Sequence, residues 1–107
     1  MIDIVKKEDN TFTFSLKTKN NVVLLHGNSF NTKEELNSAI KEIMPSINSL
    51  NVFERKTAYN GKFLFNLKTL NGKVIGKSQF YSSEAGMENG IKNLKNSFLS
   101  INNLQTL

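Results

Sequence analysis

Residues 62–98, KFLFNLKTLNGKVIGKSQFYSSEAGMENGIKNLKNSF, restate residues 11–47, TFTFSLKTKNNVVLLHGNSFNTKEELNSAIKEIMPSI, without a gap. The offset is 51 throughout, and ten of the 37 aligned positions are identical, among them Phe12/Phe63, Phe14/Phe65, Leu16/Leu67, Lys17/Lys68 and Asn20/Asn71. An internal period of this length marks a supersecondary unit used twice. A chain of 107 residues is one domain's length. Each half alone has too little apolar surface for more than a marginal core. The expectation is one domain over residues 1–107, built from repeats 1–50 and 51–107 that share a core.

Each repeat opens with strict alternation. Phe12, Phe14 and Leu16, and again Phe63, Phe65 and Leu67, face one side of a half-buried strand. Asn71-Gly72 carries the composition of a type I′ hairpin turn, and Asn20-Asn21 stands in its place in the first half. A second short strand follows, with Val23-Leu24 or Val74-Ile75 as consecutive apolar residues, a pattern that suggests contact on both sides. A helix comes next. Thr32 with Glu35 reads as a capping box, Leu36, Ala39, Ile40 and Ile43 form one stripe, and Pro45 ends it. In the second half Ser82 or Ser83 caps, Met87, Gly90, Ile91, Leu94 and Phe98 form the stripe, and Gly90 matches Ala39, a small residue that lets the helix approach the sheet. Residues 2–6 and 52–57 read as strands ahead of each unit, Asn60-Gly61 as a hairpin turn, and residues 99–107 as a last strand. The order β-β-β-α-β-β-β-α-β gives an α+β fold with both helices on one face of the sheet.

The second repeat resembles the signature of the YegP-like bacterial proteins of unknown function, approximately F-x-F-x-L-K-A-x-N-G-x-V-I-x-x-S-x-x-Y-S-S followed by G-I. The matching residues are Phe63, Phe65, Leu67, Lys68, Asn71, Gly72, Val74, Ile75, Ser78, Tyr81, Ser82, Ser83, Gly90 and Ile91. Thr69 replaces the small alanine. The first repeat is degenerate, with Asn21 for the turn glycine, residues 28–31 (NSFN) in the tyrosine–serine stretch and Ala39 for the helix glycine. The resemblance implies two β3-α-β units in a single antiparallel sheet with exchanged terminal strands. These arise from tandem repeats in a monomer with a pseudo-two-fold axis, or from a homodimer of single repeats. It implies no activity.

Composition narrows the function classes. There is no cysteine, hence no disulfide or thiolate chemistry. The first ten residues, MIDIVKKEDN, lack an apolar leader, and the longest apolar run, residues 22–25, is too short to span a bilayer; the expectation is a cytoplasmic protein without membrane association. The net charge is +5, but thirteen lysines stand beside a single arginine, Arg55, the residue type best suited to phosphate and guanine contacts. His26 is the only histidine and has no neighbouring ligand set for a metal, so neither metal nor other cofactor is expected. The carboxylates form no pair that recurs in both halves. Gly72, Gly86 and Gly90 match no phosphate-cradling spacing and read as turn and packing glycines.

Two candidate sites remain. Lys77 with Tyr81, Ser82 and Ser83 at the start of the second helix is a candidate anion or small-ligand site, because a helix N-terminus presents free N–H groups. The sheet face away from the helices carries Thr13, Ser15, Lys17, Lys19, Leu64, Asn66, Lys68 and Leu70; of these, Lys17, Lys19, Leu64, Asn66, Lys68 and Leu70 form the candidate interaction surface. That face has no aromatic residue for base stacking. The sequence therefore favours a small non-enzymatic binding module with an unidentified protein partner. The alternatives are weak nucleic-acid binding through the basic sheet face and the anionic-ligand site at the second helix.

Overall fold

The computed structural model describes residues 2–18 and 20–99. The elements are β1 (Ile2–Lys6), β2 (Phe12–Lys17), β3 (Val23–Gly27), α1 (Lys33–Ile43), two single 3-10 turns (Met44–Ser46 and Leu50–Val52), β4 (Phe53–Thr57), β5 (Phe63–Lys68), β6 (Val74–Lys77) and α2 (Glu84–Leu99). The six strands form one antiparallel sheet ordered β1-β2-β3-β6-β5-β4. The last strand expected over residues 99–107 begins on a residue that closes α2, and its remainder lies outside the described residues. Among the described residues β1 and β4 each pair with the strand that follows them, and the two sets of three strands meet only at β3–β6.

Four hairpin turns share one geometry. Asn10, Asn21, Gly61 and Gly72 have φ of 67°, 64°, 80° and 92°. Each sends its N–H to the residue three positions earlier: Lys7, Thr18, Ala58 and Thr69 respectively. Asn71 and Asn60 do not share the positive φ. The expected type I′ turn at Asn71-Gly72 is therefore a longer loop that needs one left-handed residue, a role asparagine fills in the first half and glycine in the second.

Alternation puts Phe14, Leu16, Phe65 and Leu67 into one core together with the stripes of both helices, Leu36, Ile40 and Ile43 from α1 and Met87, Ile91, Leu94 and Phe98 from α2. Leu24 and Leu25 are consecutive yet both buried in that core. The cause is a bulge rather than contact on both sides: Leu16 faces Leu25 and Lys17 faces Val23, so Leu24 is the extra residue turned inward. The same shift between Leu67 and Lys68 turns Ile75 inward. Thr32 accepts the Glu35 N–H at 3.1 Å, Ser83 accepts that of Gly86 at 3.0 Å, and Pro45 sits where α1 tightens into a 3-10 turn.

Gly90 has a different reason from the one its spacing suggests. A Cβ there would overlap the hydroxyl of Tyr81, so the notch admits a tyrosine ring rather than the sheet backbone. That ring stacks on Phe65 with centroids 6.4 Å apart. The equivalent positions of the first half carry Phe30 and Ala39, one hydroxyl fewer and one methyl more. On the other flank, Arg55 of β4 donates twice to Glu88 of α2, at 2.6 and 2.9 Å. This bond holds the Glu88 carboxyl below its ordinary 4.5 and raises the Arg55 guanidinium further.

Two outcomes follow for denaturant unfolding. Gly90→Ala costs about 1–3 kcal/mol by overpacking. Adding Tyr81→Phe recovers part of that loss, a coupling of about 1 kcal/mol or more in a double-mutant cycle. Because Glu88 is lowered on folding, the stability from its pair with Arg55 is complete above about pH 4.5 and drains away as pH falls through the folded value. Glu88→Gln removes that pH-dependent component, about 0.5 kcal/mol for a pair this exposed to solvent.

Candidate functional site

Among the described residues no helix packs on the second face of the sheet. Its residues are fixed by strand register. Asp3 faces Ser15, Ser15 faces His26, His26 faces Lys77, Lys77 faces Asn66, and Asn66 faces Glu54. One continuous row thus crosses all six strands, about 24 Å at the usual strand spacing. The row reads acid, polar, base, base, polar, acid. Its members stand 51 residues apart in pairs: Asp3 with Glu54, Ser15 with Asn66, His26 with Lys77.

The ends of the row are neutralised locally. Lys17 Nζ lies 2.8 Å from Asp3 Oδ2, and Lys68 Nζ lies 3.9 Å from Glu54 Oε2. Glu54 also accepts from Asn66 Nδ2 at 3.0 Å and has Lys56 Nζ at 3.9 Å. The Asn66 amide, then desolvation opposing it, then the two lysines, set the Glu54 carboxyl below its ordinary 4.5. The centre of the row differs. His26 and Lys77 are both exposed, and neither has an ion-pair partner among the described residues. Asp3, Ser15 and His26 supply the residue types of a hydrolytic triad in an unusable order, since the serine separates acid from base and, among the described residues, no side-chain hydrogen bond joins Ser15 to His26. Among the described residues no three His, Asp or Glu side chains converge as a metal site, and no helix is long and apolar enough to cross a membrane.

The expected interaction surface is partly assembled. Lys17, Lys68 and Asn66 do lie on this face. Leu64 lies there too, but only 8% exposed, as is Asn66, so neither offers the open surface the alternation suggests. Leu64 stands outside the main core cluster, a small apolar plug on the polar side. Leu70 is 64% exposed in the β5–β6 turn rather than on a strand. Lys19 lies outside the described residues. The expected anion site is not assembled. Lys77 projects from the outer face beside Asn66, whereas Tyr81 is inserted on the helix side against Phe65 and Gly90, and Ser83 is engaged in capping Gly86. Ser82 is exposed at the turn into α2. His26 and Asp3 are the site residues that sequence reasoning missed. His26 lacks an identical counterpart, and Asp3 lies before the aligned stretch, although Asp3 and Glu54 do share the offset of 51.

A family model described as a domain of unknown function, DUF1508, matches residues 58–98. The UPF0339 protein YegP of Escherichia coli K12 is 36% identical over 93 residues, which span 87% of this chain and 84% of YegP. The chain belongs to the UPF0339 (YegP) family. A further member, from Pseudomonas aeruginosa, is 36% identical over 90 residues, covering 84% of this chain and 82% of that one. The solution NMR structure of E. coli YegP, described as a protein of unknown function, superposes with a TM-score of 0.85 at 34% identity, covering 92% of this chain and 85% of YegP. That of a UPF0339 protein from Shewanella oneidensis gives 0.87 at 30% identity, covering 94% and 85%. The six-stranded antiparallel sheet with two helices is therefore the family's α+β fold, and the family is one of unknown function.

The outer-face electrostatics are open to direct measurement. Asn66→Ala raises the Glu54 carboxyl toward its ordinary value, and Lys68→Ala raises it less, because the amide hydrogen bond is the larger cause. Carboxyl NMR titration of the two variants reads both shifts.

Proposed function

We propose that this chain is a non-catalytic cytoplasmic binding module, formed from two copies of one three-strand-and-helix unit, that holds an acidic segment of a partner protein on its outer sheet face. The repeat reading is supported by the four turns, the two bulges and the two cap positions recurring at the same offset of 51. The binding reading rests on one observation: the exposed His26–Lys77 pair at the centre of a row whose outer cations, Lys17 and Lys68, are already ion-paired. The strongest unmet demand on this face is for a negative group at its middle, with neutral or basic groups toward Asp3 and Glu54. A second copy of the chain stacked centre to centre would set like charges against one another. A nucleic-acid backbone would find few free lysines in a line, and affinity built on phosphate contacts needs several.

The test is a titration of isotopically labelled protein with the blocked hexapeptide acetyl-Gly-Gly-Glu-Glu-Gly-Gly-amide, followed by backbone NMR. Shift changes should centre on Ser15, His26, Asn66 and Lys77. Lys77→Glu should weaken binding by about tenfold, equivalent to 1.4 kcal/mol, while Lys92→Glu on the exposed side of α2 leaves it unchanged. Equal loss in both variants would reduce the effect to general charge. Tighter binding of duplex DNA at that face, with steep salt dependence, would replace the acidic-protein reading.

A further inference from the structure

The outer sheet face does carry one aromatic side chain, and it comes from the loop after β6 rather than from a strand. Phe63 and Tyr81 exchange both backbone hydrogen bonds, at 2.8 and 2.7 Å, and both pack on the core. The next residues along the two segments, Leu64 and Phe80, therefore stand side by side on the opposite face. Phe80 is 57% exposed. Lys56 flanks Leu64 from β4. Leu64 lies two residues along β5 from Asn66, which faces Lys77, a distance of about 6.6–6.8 Å. The apolar corner thus borders the exposed His26–Lys77 pair.

The first half treats the same corner differently. At the offset of 51, Ser29 stands for Phe80, Thr13 for Leu64, Lys7 for Ala58 and Val5 for Lys56. Three of these bond within the chain: Lys7 Nζ donates to Ser29 Oγ at 2.7 Å, and Thr13 Oγ1 donates to the Gly27 carbonyl at 2.8 Å. Folding does not require the change to phenylalanine, since Phe12 and Phe30 form the equivalent bridge beside the hydrogen-bonded set. The second half therefore leaves a large apolar side chain in water, next to a cationic centre, where the scaffold has a polar alternative.

We propose that the partner segment held on this face is acidic and apolar together: an extended strand with a carboxylate at His26–Lys77 and, two residues away, a leucine-sized side chain against Phe80 and Leu64. This inference rests on the acidic-segment reading and adds a second contact to it. An extended peptide turns every second side chain toward the surface beneath it, at the same spacing that separates Asn66 from Leu64. Because the corner exists in one half only, the segment lies over β5 and β6 rather than over β2 and β3.

Labelled full-length protein is titrated with acetyl-Gly-Gly-Glu-Glu-Gly-Gly-amide and with acetyl-Gly-Leu-Glu-Glu-Leu-Gly-amide, whose leucines stand two residues from a glutamate in either chain direction. The expected result is about fivefold tighter binding of the leucine peptide, the scale of partly burying one such side chain, with added shift changes at Leu64 and Phe80. Added salt weakens both peptides and leaves their ratio unchanged, because the gain is apolar. In Phe80→Ser, a change at an exposed position to the residue type of the first half, the two peptides bind alike. Equal affinities in the unaltered protein, or a leucine advantage that survives Phe80→Ser, overturn the proposal and leave the acidic-segment reading standing. No shift at His26 or Lys77 with either peptide at millimolar concentration overturns both. Equal binding of the uncharged acetyl-Gly-Leu-Gln-Gln-Leu-Gly-amide would assign the corner to a purely apolar partner, and tighter binding of oligothymidylate with shifts at Phe80 would assign it to a stacked base; either result also overturns the proposal.

Discussion

Everything in this molecule hangs from the short ladder between β3 and β6. Among the described residues it is the only strand pairing between the two halves, with His26 against Lys77 and Gly27 against Gly76. Asn28 extends it, its N–H reaching Ile75 O at 2.8 Å and its side chain reaching Val74 O at 2.8 Å. The two central glycines are a steric requirement. A Cβ on Gly76 would stand 2.8 Å from Leu25 Cδ2, and one on Gly27 would run into the Phe14 ring. Core side chains of the first half, Phe14 and Leu25, press so closely on the joint that the backbone there has to be bare. Without this pairing, each half would be a three-stranded meander with one helix and little core of its own.

The joint also explains why features appear twice with different chemistry. It relates His26 to Lys77 at the middle of the outer face, and it sets the turn of each half against the helix of the other. One such junction has Lys73 over the Phe30 ring at 5.5 Å beside an acidic helix; the other has asparagines around Tyr81. The scaffold is common to both, while charge and hydrogen-bonding character have diverged. A shared core fixes backbone geometry and leaves surface positions free to change.

The sequence carries most of the fold on its face. Period-two phenylalanines, asparagine and glycine at the turns, Thr32 and Ser83 at the helix starts and the constant offset all read locally, and each describes a choice made within a few residues. The site is less legible because it is made by register. Nothing local announces that Asp3, His26 and Lys77 share a row, since that depends on three separate pairings and on two bulges that shift the pleat. Leu64 looks exposed by alternation and is nonetheless buried. Lys77 and Tyr81 look adjacent in sequence and end on opposite sides of the sheet. Gly90 reads correctly as a packing residue, but its partner, the ring of Tyr81, comes from a loop nine residues earlier.

That last pair constrains the history of the chain. The second half holds tyrosine over glycine where the first holds phenylalanine and alanine. Between those two states lie two single-substitution intermediates of very different cost. Phenylalanine over glycine leaves only a methyl-sized gap, which a core tolerates at modest loss. Tyrosine over alanine forces a hydroxyl into an occupied volume. Any descent of one half from the other's arrangement therefore runs in a fixed order: the methyl has to go before the hydroxyl arrives, and on the way back the hydroxyl has to leave first.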